Sequence, residues 1–147
     1  MADLELVTRL AAGDHHLAVF TTAGLDGAVH ASVVSAGVTE DPIDGRPGVA
    51  AVVGGASRKL TLLRLSGTAS VVFKSGYQWA AVTGPVRLIG PDDGTEFGLD
   101  VPEVLRSVFR AAGGTHEDWA EFDRVMAAER RCAVFVGAAK ITGNATG

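Results

Sequence analysis

The stretch GGASRKLTLL, Gly54 to Leu63, gathers the residue types best suited to chemistry in this chain. Two glycines and a serine lead into adjacent cations, Arg58 and Lys59, and then into an apolar helical run. A helix N-terminus carries partial positive charge and favours acidic side chains there. Cations at that place therefore serve something other than the helix. Glycines let a ligand approach the backbone closely. Ser57 offers a hydroxyl, and the first-turn N–H groups have no intrahelical acceptor. With Arg58 and Lys59 added, the set suits a phosphate-sized anion. The other reading is a solvated basic turn.

Few other side chains offer chemistry. The histidines are His15, His16, His30 and His116. His15 and His16 precede a strand and read as a solvated turn. His30 lies within a strand and either faces a cleft or lines the inside of a barrel. Tyr77 and Trp79 alternate with Gln78, which puts both on one face of a strand. They either cover an aromatic ring system or, the favoured reading, pack the core. Cys132 reads as a small core residue opening a strand. HExxH, CxxC, GxSxG, GxGxxG and P-loop patterns are all missing from the sequence, so no metal is expected. Redox or transfer chemistry here would come from a bound cofactor.

Composition narrows the class. The chain has 147 residues, 47% of them apolar and 20% charged, with a net charge of -4. That length and apolar content fit one domain, 1–147, with a full core. A mildly acidic chain without a basic stripe is a poor partner for nucleic acid. Charged residues interrupt every apolar run before the roughly 18 residues a membrane span needs. The opening MADLELVTRL carries acids where a signal peptide has cations, so a cytoplasmic protein is expected. A single cysteine allows no internal disulfide.

The elements that position these residues follow from periodicity and turn chemistry. Asp3 caps a helix over Leu4 to Ala12, with Leu6, Val7 and Leu10 on one side and Gly13 ending it. Leu17 to Ala23 is a strand, Asp26-Gly27 a hairpin turn, and Ala28 to Val38 the return strand. Thr39 to Gly48 is a polar loop. Val49 to Gly55 is a strand buried on both faces. Ser57 caps a helix ended by Gly67, with Leu60 and Leu63 facing the core. Thr68 to Lys74 and Tyr77 to Gly90 form the next strands, joined at Ser75-Gly76. Gly84 and Pro85 mark a bulge or edge in the second of them. Asp100 and Pro102 open a helix carrying Val104, Leu105, Val108 and Phe109, ended by Gly113-Gly114. Thr115 to Asp118 has the shape of a capping box for a second helix, with Trp119, Phe122, Val125 and Met126 at helical spacing. Cys132 to Gly143 is the last strand. About six antiparallel strands with few helices predict a small β-barrel. The third strand and the Trp119 helix carry more apolar residues than one small barrel consumes, which favours a second copy of the chain.

In order, these pieces resemble the split β-barrel flavin and deazaflavin oxidoreductases related to pyridoxamine 5'-phosphate oxidase. The nearest likeness is to the actinobacterial branch that binds coenzyme F420. HLAVFTTAGLDGAVHASVV, GGASRKLTLLRLSGTASVVF, YQWAAVTGPVRL and THEDWAEFDRVMAAERRCAVFV with KITG carry it. The spacing W-x-x-F-x-x-x-M-x-x-x-R-R in the last piece is its most specific part. The resemblance implies a homodimer with cofactor sites at the interface. It places the phosphate-bearing tail along Ser57, Arg58 and Lys59. The ring system would lie against Ser32, Val33, Val34 and Ser35 and against Val53, Gly54 and Gly55, near Trp79.

The implied activity is hydride transfer from reduced F420 to an unsaturated or conjugated small molecule. The catalytic residues are not identified, and His30 and Tyr77 are the candidates for proton donor or substrate orientation. The alternatives are an FMN-dependent oxidase or reductase, or a non-catalytic binder of cofactor or haem. The chain departs from the family pattern in several places. Asp26-Gly27 is followed by Ala28-Val29 where the family often has x-Pro. Ser57 stands where an Arg often precedes the Lys by two residues. Leu62 and Leu63 occupy the region of a usual asparagine. The Arg-rich C-terminal segment of true pyridoxamine phosphate oxidases is missing, which argues against pyridoxine chemistry.

Overall fold

The computed structural model describes residues 2–144. Helix α1, Leu4–Gly13, starts at Asp3, whose carboxylate accepts from the Leu6 N–H at 2.9 Å. It buries Leu6, Val7, Leu10 and Ala11 against the barrel core. His15 and His16 follow with φ of 56° and 59°, a left-handed joint that turns the chain into strand β1, Leu17–Ala23. Strand β2, Val29–Glu40, returns through a turn whose Gly27 has φ 84°. Then come β3, Pro47–Val53, helix α2, Arg58–Ser66, and β4, Thr68–Ser75. Strand β5 covers Gln78–Ile89. Helices α3, Val101–Ala111, and α4, Trp119–Ala128, precede β6, Cys132–Gly137, and β7, Lys140–Gly143.

The sheet order is β4-β1-β2-β3-β6-β5-β7, and β4 also pairs with β5, which closes a six-strand antiparallel barrel. Two strands of 12 residues each make the closure possible by changing partners midway. Strand β2 pairs with β1 through Ser35 and with β3 from Ala36 onward. Strand β5 pairs with β4 through Pro85 and with β6 from Val86 onward. Gly84-Pro85, read from the sequence as a bulge or edge, is this hand-over, in unbroken register. A Cβ on Gly84 would lie 1.8 Å from the Gly137 carbonyl oxygen, so only glycine fits.

The barrel interior holds one core, which includes Phe20, Phe73, Val71, Val82 and Val134. A second core lies outside it, where Leu105, Val108 and Phe122 of α3 and α4 cover Ala50, Ala133 and Phe135. This second core explains the double-sided burial of the third strand. It also absorbs the apolar surplus that the sequence assigned to a second copy. Two other expectations change. The last segment is two strands, because it folds back at Ala138 and Ala139, giving seven among the described residues. Helix α4 is capped by Asp118, which accepts from the Glu121 N–H at 3.1 Å, and not by Thr115. Among the described residues no helix is long and apolar enough to cross a membrane.

The hand-over is open to test. Gly84→Ala is expected to destabilise the protein by more than about 2 kcal/mol, since backbone must move. Gly54→Ala, where an added Cβ meets nothing within 4 Å, is expected to stay within about 0.5 kcal/mol of wild type in urea denaturation.

Candidate functional site

The partner change in β2 leaves a split in the barrel wall. Residues Val29 to Ser35 pair with β1 on one side and with no strand on the other. Val52 and Val53 of β3 pair with β6 but no longer with β2. Helix α2 begins directly beyond that split. Its cap is Ser57, whose hydroxyl accepts from the Leu60 N–H at 3.2 Å and is therefore committed to the helix.

Arg58 is exposed at the start of α2, as an anion-facing cation should be. Lys59 is not, contrary to the expectation from the sequence. It is 8% exposed and turns inward, with Nζ 5.8 Å from the centre of the Phe20 ring. Burial alone moves its pKa, downward from the ordinary 10.5, because no carboxylate stands near enough to oppose it. The reason for the inward turn is helical geometry. Lys59 follows Arg58 by about 100° on the helix and shares its buried side with Leu60, Leu62 and Leu63.

Phe20 is the cross-strand partner of Ser32, and Thr22 of His30. His30 and Ser32 are half-buried, two residues apart on one face of β2. His30 Nδ1 and Ser32 Oγ are the buried side-chain polar atoms without a hydrogen-bond partner among the described residues. Three polar groups without a partner thus lie along one stretch of barrel wall: the Lys59 ammonium over Phe20, the Ser32 hydroxyl opposite Phe20, and the His30 imidazole two residues before Ser32. Native proteins rarely leave such groups unpaired, and those that remain call for an explanation.

The remaining expected site residues divide by position. Val33 is 65% exposed and Ser35 is also exposed, on the outer face of β2; Val34 faces in and is half-buried. Val53 is buried at 3% and supports the β3 end from inside. Gly54 is open to solvent space, whereas a Cβ on Gly55 would lie 2.4 Å from the Arg130 carbonyl oxygen. Gly54, Gly55, Ala56 and Ser57 line one wall of a cavity of 540 Å³, and residues Ala128 to Arg131 line the other. Arg130 and Arg131 on that rim are the closing pair of the W-x-x-F-x-x-x-M-x-x-x-R-R spacing, which the sequence marked as part of the resemblance but not as part of the site. Both are paired, Arg130 with Asp92 and Arg131 with Glu129.

Tyr77 and Trp79 do not join this group within one chain. Tyr77 is 97% exposed at the β4–β5 hairpin, and Trp79 is 38% exposed on the outer sheet face. Core packing, the reading favoured from sequence, is therefore incorrect for both. The hairpin tip lies beyond the barrel, and the Asn144 side chain bonds the Tyr77 carbonyl and the Trp79 N–H there. His116 packs in the Trp119 and Phe122 cluster, and His15 is exposed in its turn, as expected. Cys132 is 1% exposed, and burial pushes its thiol up to about 12, which makes it chemically quiet. Another cavity, of 520 Å³, lies at the C-terminal end of α2, where Arg64 pairs with Asp93 and Arg87 with Asp41 and Asp44. Those pairs leave Arg64 and Arg87 already neutralised.

The unpaired Lys59 makes a testable claim about stability. Lys59→Met fills similar space without a desolvated charge and is expected to raise stability at neutral pH by about 1–2 kcal/mol. The folded-state pKa lies below 10.5, so on raising pH the folded protein loses its proton first. Wild type then gains stability with pH across that window, and the advantage of the variant shrinks toward pH 10.5. Urea midpoints of both proteins from neutral to alkaline pH measure this.

No protein-family model and no curated protein matches the chain. Solved structures do. A conserved hypothetical protein from Mycobacterium tuberculosis superposes with TM-score 0.68 at 16% identity, covering 97% of this chain and 84% of that one. A pyridoxamine 5'-phosphate oxidase-related, FMN-binding protein from Nostoc punctiforme gives 0.63 at 10% identity, with 97% and 84% covered. The haem storage protein HutZ from Vibrio cholerae gives 0.56 at 9% identity, with 96% and 94% covered. The chain therefore has the split β-barrel fold of the FMN-binding proteins related to pyridoxamine 5'-phosphate oxidase.

Proposed function

We propose that this chain is an F420-dependent reductase that passes a hydride to an unsaturated or conjugated small molecule. The observation that carries the reading is the buried, unpaired Lys59 beside the split in the barrel wall. A chain whose interior is otherwise well satisfied keeps a lysine there at a cost in stability, and a bound anion would compensate it. The fit to a phosphate-bearing cofactor is supported by the orphaned Ser32 Oγ and His30 Nδ1 next to it. Arg58 at the α2 N-terminus adds charge at the mouth. The open edge of β2 and the bare Gly54 backbone would receive the ring system. When bound, the deazaflavin supplies the hydride. The protein's own residues hold the tail, orient the ring and exclude water.

FMN is the alternative cofactor, supported by the FMN-binding neighbour. Titration of the purified protein with F420 and, separately, with FMN tells them apart. The expected outcome is F420 binding at micromolar concentration or tighter, weakened about tenfold or more by Lys59→Ala. Preference for FMN would move the chain to the flavin alternative. Binding of neither would end both.

A homodimer belongs to the same proposal. Among the described residues the outer face of the β2-β1-β4-β5 sheet carries no helix and exposes Val29 at 71%, Val33 at 65%, Leu17 at 40% and Trp79 at 38%. Val19 and Val72 pair across its middle. A second copy seated there would cover this apolar surface. Light scattering at micromolar concentration is expected to give twice the mass of one chain, and Val33→Glu is expected to give a monomer.

A further inference from the structure

We infer that His30 and Ser32, from inside the barrel wall, complete with Lys59 a seat for the phosphoryl group of the bound cofactor; this rests on the cofactor reading above. His30 then serves as a tail-binding residue and not as a proton donor to substrate. Strand β2 contributes inward side chains to the site as well as its open backbone edge.

The structure offers these two groups no partner of its own. Across the β1–β2 ladder Ser32 faces Phe20, which has no polar atom. His30 faces Thr22, whose hydroxyl is already engaged by Ser66 and by the Thr68 carbonyl, at 3.1 Å each. Lys59 reaches the same patch from α2 over the Phe20 ring. An ammonium only donates, a hydroxyl can donate, and Nδ1 donates in the tautomer that carries its proton there. A group that accepts from all three is acceptor-rich and negatively charged, with oxygens presented in more than one direction. A phosphoryl group has that shape. A cation is disfavoured by Lys59, and a neutral amide brings too few acceptors.

The test compares ligands that differ only in the tail. Affinities are measured by fluorescence or calorimetry for FMN against riboflavin, and for F420 against its phosphate-free deazaflavin chromophore. Wild type, His30→Leu, Ser32→Ala and Ser32→Thr are compared. Ser32→Ala removes one oxygen and is the variant least disturbing to folding; thermal unfolding of each variant checks this. His30→Leu and Ser32→Ala are each expected to weaken the phosphate-bearing ligand about tenfold or more. The phosphate-free ligand should change less than about twofold, and Ser32→Thr should restore most of the loss. Equal losses for both members of a pair, or no loss for either, would overturn the inference while leaving the cofactor reading in place. Wild type that binds no member of either pair would overturn the reading, and the inference with it.

Discussion

Two strands that change barrel partners midway hold this molecule together. Strands β2 and β5 start in one half of the barrel and finish in the other, so the six strands close into one barrel. The crossing of β5 is tight because the Gly84 backbone passes against Gly137 with no room for a side chain. The crossing of β2 is packed from outside, where a Cβ on Gly37 would lie 1.8 Å from the Ala111 carbonyl oxygen of α3. Close contact at both crossings fixes the register. Register in turn decides which residues face in. The alternation that puts Phe20, Ser32 and His30 inside and Val19, Val29 and Val33 outside follows from that constraint.

The same partner change creates the opening. A strand that leaves one neighbour before it has fully met the next exposes backbone between the two, and here the sequence places its buried cation beside that gap. The energetics run against stability at this one place. Elsewhere several carboxylates meet guanidinium groups, as in Arg64 with Asp93, Arg87 with Asp41 and Arg106 with Asp123. Lys59 is left without such a partner in a low-dielectric setting. Local rules broken without compensation inside the chain gather at functional or strained sites, and the proposed cofactor site would be one.

Much of the fold was legible because it is written locally. Asp3, Ser57 and Asp100 cap helices where the sequence put them. Gly27, Gly67 and Gly76 take the left-handed conformations that end strands and helices. At the candidate site the helix start was legible but the direction of its lysine was not. Ser57 caps the helix as expected, yet whether Lys59 faces solvent or the barrel depends on how α2 rolls against β1, a tertiary fact. Tyr77 and Trp79 show the same limit. Alternation says that they share a side, and only the closed barrel says that the side is outward. The division of Cys132 to Gly143 into two strands depends on β7 finding the free edge of β5, which no local pattern encodes.

Helix α2 plugs the barrel with Leu60 and Leu63 while its first turn borders the opening. Its far end is tied down through Arg64 to Asp93 and through the Gly67 N–H to the Leu63 carbonyl. One nine-residue element is thus both stopper and doorpost. A ligand held at the opening, as proposed, would add its binding free energy to the cohesion of the barrel by mass action. The empty protein would then be the looser form. Its lifetime in a cell would follow the supply of its ligand, so that protein without ligand would be the first to be cleared.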